Sequence, residues 1–318
     1  MIKRVELEND WQMALLLRPD EWEMDFDYIA THPNVVKKVN SHLGVTVQPA
    51  FYEQKIIESK MDAEARKETM TKLFNVFLSE RITEWVKPDQ IVALQTDTTI
   101  DDLSSDDGWQ VYTGFDFSMG DDIYAVSYLA VRWDDEREQA EFFADMNAWV
   151  SEEGMKESPL RALYEKCRDD GWLNVVPGWT FPTSLFLNRV AELGEHLLLV
   201  AFGYDPYRAT QPVNDLSAYV FSEGSDPKQT VIPVRQNFAN YNPLVLEMDY
   251  MLKNDPPLIH FSRSPLWPWQ FGNCRVCEST DGMENKKIQK ATDASKIDNV
   301  QALMNALYCY DVIQGKVQ

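Results

Sequence analysis

The stretch His196-Leu197-Leu198-Leu199-Val200-Ala201-Phe202-Gly203-Tyr204, closed by Asp205-Pro206, is a nearly unbroken apolar run of strand length. Such a run is expected of a central strand buried on both faces, the habit of sheets covered by helices on both sides. Its flanks agree. Residues 159–170 and 182–193 have helical spacing and are closed by Gly171 and Gly194. Downstream, 213–221 reads as helix, 230–234 as strand and 243–252 as helix. Upstream, 111–118 and 123–133 read as two strands joined by the turn Gly120-Asp121-Asp122, a hairpin signature. At the far end, residues 295–310 form the clearest amphipathic helix, with Ile297, Val300, Met304 and Leu307 at steps of three and four. A hairpin followed by alternating helices and strands predicts a mixed α/β sheet flanked by helices. Residues 50–86 carry helical signals, including Leu73, Phe74, Phe77 and Ile82, so a mainly helical segment precedes the sheet. An apolar stretch over 11–17 reads as a strand without an obvious partner.

The 318 residues are 44% hydrophobic and 12% aromatic, enough for a sizeable core and one or two domains. No repeat appears at a period of about 20–50 residues, and no apolar run approaches the roughly 18 residues of a spanning helix. The first eight residues lack a signal peptide's apolar region, so a soluble, intracellular protein with no membrane partner is expected. Of four cysteines only Cys274 and Cys277 make a CxxC. Without a second Cys or His pair, reduced thiols are expected rather than zinc. The formal net charge of −21 opposes nucleic acid, which is held largely by Lys and Arg against phosphate. A DNA role therefore requires the basic residues to be concentrated locally, or another domain or subunit to hold the DNA.

Three acids stand at the edges of apolar elements: Asp116 in Gly-Phe-Asp-Phe-Ser, Asp205 after the strand, and Asp298 in the first turn of the last helix. A carboxylate ending a buried strand is costly unless something positive meets it, and strand carboxyl ends are where α/β sheets place ligands. Convergence of the three asks for a hard divalent cation with oxygen ligands, magnesium or manganese. Two such ions suit phosphodiester hydrolysis. Each acid also has a structural reading: a strand-ending turn for Asp116, an Asp-Pro turn for Asp205, and a capping-box-like Ser295-x-x-Asp298.

Gly114-Phe115-Asp116-Phe117-Ser118, followed by Asp121 and Asp122, resembles the opening of the C-terminal nuclease of tailed-phage terminase large subunits. Further likenesses run in order: Gly171-Trp172-Leu173 with Val176-Pro177-Gly178, Gly203-Tyr204-Asp205-Pro206-Tyr207, Ile232-Pro233-Val234-Arg235-Gln236, His260 with Trp269, and Lys296-Ile297-Asp298 with Ala302-Leu303 and Ala306-Leu307. Upstream, His32-Pro33-Asn34 and Leu43-Gly44-Val45-Thr46-Val47 resemble the stretch joining the ATPase motor to that nuclease. The resemblance implies an RNase H-like fold and three parts: 1–95, the end of the motor and a helical connector; 96–108, a linker; 109–318, the nuclease. It implies Asp116, Asp205 and Asp298 as catalytic acids binding two magnesium or manganese ions. Asp122 would be an additional ligand, with Asp121 the near alternative. Double-stranded DNA, the portal protein and the small terminase subunit are the implied partners, and the bacterial host's cytoplasm the implied location. No Gly-x-x-x-x-Gly-Lys-[Ser/Thr] occurs, so ATP hydrolysis is not expected of this chain, which is expected to begin inside the end of the motor.

Lys286, Lys287, Lys290 and Lys296 cluster in a polar stretch before the last helix, read as a loop that brings ammonium groups to DNA phosphates. The resemblance makes Lys290 the candidate for stabilising charge at the scissile phosphate. Two rivals stay open: another RNase H-like nuclease such as a resolvase or transposase, and a packaging-complex docking module with a weak or silent nuclease.

Overall fold

A computed structural model describes residues 26–316, apart from 41, 62, 77–80, 118–121, 208, 222–230, 280–283 and 293. The chain divides into two units, Met1–Ile82 with Cys277–Lys286, and Thr83–Val276 with Lys287–Gln318. In the first, helices Phe26–Thr31, Pro33–Val39, Pro49–Met61 and Ala63–Glu68 and a π-helical turn Thr69–Leu73 surround a small core including Ile29, Val36, Tyr52, Met70 and Phe74. The helical reading of 50–86 thus extends to Leu73, but Arg81–Glu84 is a strand. The strand expected over 11–17 lies outside the described residues.

The second unit is built on an eight-stranded sheet among the described residues: β1 Gln95–Thr96, β2 Gln110–Asp116, β3 Tyr124–Asp134, β4 Gln139–Ser151, β5 Asn174–Val176, β6 Leu198–Tyr204, β7 Val231–Pro233 and β8 Ile259–Ser262. Its order is β1-β8-β4-β3-β2-β6-β7, with β5 also paired to β4. The β2–β3 and β3–β4 pairs are antiparallel and the others parallel, so β3 alone runs against its neighbours. The expected hairpin is β2–β3. The expected central strand is β6, but it lies one place from the end of the order, and Leu198 at its start is exposed. Residues 96–108 hold two 3-10 turns, and the Ile100 amide donates to half-buried Asp145 at 2.7 Å.

Six helices matter for the site: α1 Arg161–Asp169, α2 Ser184–Gly194, α3 Thr210–Phe221, α4 Phe238–Lys253, α5 Leu266–Asn273 and α6 Asp298–Ile313. One sheet face, through Val111, Phe115, Val126 and Tyr128, packs on Phe186 and Val190 of α2 and Leu216 of α3. The other, through Tyr112, Leu129 and Ala201, packs on Tyr241 and Leu244 of α4, Trp267 of α5 and Leu303 and Leu307 of α6. Fully burying each such apolar side chain stabilises the fold by roughly 1.5–3 kcal/mol.

Helix α6 departs from its amphipathic reading. Every residue from Asp298 to Asp311 is buried, because the sheet takes one face and helices α4 and α5 the others. Asn299 is satisfied internally: its N–H donates to Gln270 Oε1 at 2.7 Å, its Oδ1 accepts from Gln270 Nε2 at 3.0 Å, and its carbonyl accepts from Ser127 Oγ at 2.8 Å.

At the other end of α6, Asp311 faces Glu247 and Lys316, whose Nζ lies 3.3 Å from Asp311 Oδ1. Burial, then hydrogen bonding and repulsion from Glu247, push the Asp311 carboxyl up to about 8 from an ordinary 3.8. A folded-state pKa above the unfolded value means the folded chain holds more protons across that window, so this group's stabilising share is lost as pH rises from about 4 to 8. Asp311→Asn should therefore match wild type in urea melts near pH 4 and gain on it progressively up to pH 8. A difference independent of pH would contradict this.

Candidate functional site

Alternation along strands places the acids. The parallel register pairs Gly114 with Gly203 and Phe115 with Tyr204, so Asp116 and Asp205 come next, side by side at the carboxyl ends of β2 and β6. Each acid shares a face with the glycine two residues before it. That face is taken by α6: a Cβ on Gly114 would lie 1.8 Å from the Ala302 carbonyl oxygen, and one on Gly203 2.4 Å from that of Asn305. The two glycines form the groove in which the helix backbone lies, and Asp298, one turn before Ala302, starts the helix at the acid end. Asn305 ties the parts together. Its Nδ2 donates to the Phe115 carbonyl at 2.9 Å, and its Oδ1 accepts from Tyr241 of α4 at 3.3 Å.

A cavity of about 440 Å³ opens there, lined among others by Asp116, Phe117, Asp122, Tyr207, Gln236, Tyr241, Lys287, Lys290, Asp298 and Gln301. Asp205 does not itself line it, but two residues that do line it bond Asp205: Tyr207 N–H donates to Oδ1 at 2.9 Å and Gln236 Nε2 to Oδ2 at 2.6 Å. Burial pushes the Asp116 carboxyl well above its ordinary value, with Asp298, Asp205 and Asp122 adding repulsion against the pull of Lys290. The Asp298 carboxyl is pushed up to about 6, chiefly by burial, with Lys290 opposing and Asp122 adding. Asp298 is only 3% exposed, and its Oδ2 has no hydrogen-bond partner. The Asp205 carboxyl is also raised by burial, partly offset by the Tyr207 amide.

The four lysines are distributed differently. Lys286–Lys290 is a strand rather than the expected loop. Lys290 Nζ lies 3.9 Å from both Asp122 Oδ1 and Asp298 Oδ1. Lys296 is buried, and its Nζ bonds Asp122. Lys287 lines the cavity with its ammonium 4.6 Å over the Phe238 ring. Lys286 does not line it, and lies 3.7 Å from Glu278 in the first unit. Asp121 lies outside the described residues. His260 pairs in β8 with Phe143 and takes no part in the lining, while Cys274 and Cys277 are buried thiols. Gln236, Tyr241 and Gln301 are site residues that sequence reasoning missed. The shared Gly-aromatic-Asp of 114–116 and 203–205 was the available signal for the paired groove.

Among the described residues, no three or more His, Cys, Asp or Glu side chains are disposed as a ready-made ligand set. Magnesium does not need one, being commonly held by one or two carboxylates with waters and phosphate oxygens. An all-oxygen donor set, like charges crowded in a buried site and an orphaned carboxylate oxygen are what a hard cation satisfies. The residues present fit it.

Fold and site together define an α/β protein of the RNase H-like type, with acids at the carboxyl ends of adjacent parallel strands. Residues 22–311 match the family of the terminase large subunit endonuclease domain, and the chain belongs to that family. Among solved structures it is similar to the large terminase of bacteriophage HK97, at 16% identity and a TM-score of 0.57, over 88% of this chain and 54% of that one. The chain therefore spans about half the length of that relative. The large terminase nuclease from thermophilic phage G20c matches at 11% identity and a TM-score of 0.39, over 63% of this chain and 82% of that one. The same phage's nuclease with bound magnesium matches at 12% and 0.28, over 63% and 80%. Comparison with curated proteins gives no match. No helix among the described residues is long and apolar enough to cross a membrane.

Proposed function

We propose that this chain is the metal-dependent endonuclease part of a phage DNA-packaging terminase, cutting concatemeric double-stranded DNA in the host cytoplasm. One observation supports this above the rest: half-buried Asp116 and buried Asp298, with raised carboxyls, meet Asp122 and Lys290 around one open cavity at the strand ends. Family membership favours it over a resolvase or transposase. Asp116, Asp205 and Asp298, with Asp122, would hold two magnesium or manganese ions, which supply Lewis-acid polarisation of the phosphate and activation of the attacking water.

The chain's own groups do the rest. Gln236 and the Tyr207 amide orient Asp205. Lys290, poised between Asp122 and Asp298, offsets charge that develops at the scissile phosphate. Lys286, Lys287 and Lys296 supply positive charge to the DNA. Residues 1–95 are the end of an ATPase domain with a helical connector, 96–108 the linker, and 109–318 the nuclease.

Supercoiled plasmid with magnesium or manganese should be converted to nicked and linear forms, and chelation should stop the reaction. Absence of conversion, or conversion indifferent to chelator, would reject the proposal. The net charge of −21 favours a second role, docking on a basic surface of the packaging complex, such as the portal or small subunit. Salt-sensitive portal binding by wild-type protein is its test.

A further inference from the structure

We propose that Gln301 is a substrate-contacting residue of this site, donating its amide N–H to a non-bridging phosphate oxygen of the DNA strand in the cavity; this rests on the nuclease reading above. Gln301 follows Asp298 by three residues on α6, so both side chains leave the same face of the helix. It lines the same cavity as Asp116, Asp298 and Lys290. Although only 5% exposed, its Nε2 has no hydrogen-bond partner.

Buried polar atoms are nearly always paired, and the neighbouring amides obey that rule. Asn299 and Gln270 bond each other and the sheet, and Asn305 bridges Phe115 and Tyr241. Gln301 alone of these has a donor aimed at nothing within the fold. An amide N–H can only donate, so the missing partner is an acceptor. The nearby carboxylates leave it unbonded, so the acceptor arrives from outside. A phosphodiester brings two non-bridging oxygens that share one negative charge into a cavity whose lysines Lys287 and Lys290 suit an anion, and charge-assisted hydrogen bonds are the strong ones.

Two replacements of matching length separate contact from packing. Gln301→Met removes the donor and keeps the bulk, while Gln301→Glu replaces the donor with a negative acceptor. Because the amide satisfies nothing in the fold, Gln301→Met should melt at or above the wild-type temperature. DNA-free protein should bind manganese in calorimetric titration as wild type does. Single-turnover cleavage of duplex DNA should nevertheless slow by about 10- to 100-fold, and affinity for duplex measured in chelator should weaken. Gln301→Glu should be slower still.

A Gln301→Met protein that melts lower and cuts at the wild-type rate per folded molecule would overturn the proposal by making the residue structural. Wild-type cutting by a fully stable Gln301→Met would overturn it equally, while leaving the nuclease reading intact. Failure of the wild-type protein itself to cut with magnesium or manganese is the distinct result that removes both.

Discussion

Asp116→Asn should lose metal-dependent cleavage by roughly a hundredfold or more while making the protein harder to unfold. Metal-assisted charge stabilisation is worth several kcal/mol, and each 1.36 kcal/mol is a factor of ten in rate. The opposite effect on stability follows from the crowding. Burial and the charges of Asp298, Asp205 and Asp122 all disfavour ionised Asp116, against the pull of Lys290. Asparagine keeps the shape and drops the charge, so a gain of about 0.5–2 kcal/mol in urea unfolding is expected without metal. Manganese should raise the wild-type melting temperature by mass action, and the variant's by much less. A variant that cuts normally, or that is both inactive and destabilised, would show that Asp116 is a structural strand end.

Gly114→Ala carries the second large effect. Its Cβ would sit 1.8 Å from the Ala302 carbonyl oxygen and 2.7 Å from the Ala306 nitrogen. Both are helix backbone, which cannot swing aside as a side chain can. Overpacking costs about 1–3 kcal/mol and sometimes more; about 3 kcal/mol is expected here by denaturant unfolding. Gly203→Ala, at 2.4 Å from the Asn305 oxygen and 2.8 Å from Cys309 Sγ, should act in the same direction but less strongly. The functional loss should exceed the folding loss. Displacing α6 carries Asp298 away from Asp116, and a misplacement of about 1 Å can cost on the order of a hundredfold in rate. Wild-type melting by Gly114→Ala would mean the helix does not ride on the strand backbones.

What was legible in the sequence follows what each element needs from distant partners. The β2–β3 hairpin, β6 and helices α1 and α2 announce themselves by local apolar patterning and glycine stops, and the three acids stand out against it. Strand β4 was missed because Glu141, Asp145 and Asn147 break its apolar run. Their partners come from elsewhere: Asp145 accepts from Ser262 and the Ile100 amide, and Asn147 from Tyr128. Lys286–Lys290 looked like a loop because Ile288 is its only buried residue. Helix α6 looked one-sided because Asn299, Gln301 and Asn305 read as a wet face, whereas each is buried. No local pattern shows that Gly114 and Gly203 are register partners; that fact brings the helix, and with it Asp298, onto the ends of β2 and β6.

Anomalous diffraction from crystals soaked in manganese tests most directly whether these carboxylates form one cation site. Peaks bounded by Asp116 and Asp298, with Asp205 or Asp122 completing the surroundings, are the predicted result. Manganese peaks only elsewhere on the acidic surface, with that cavity holding water alone, would contradict it.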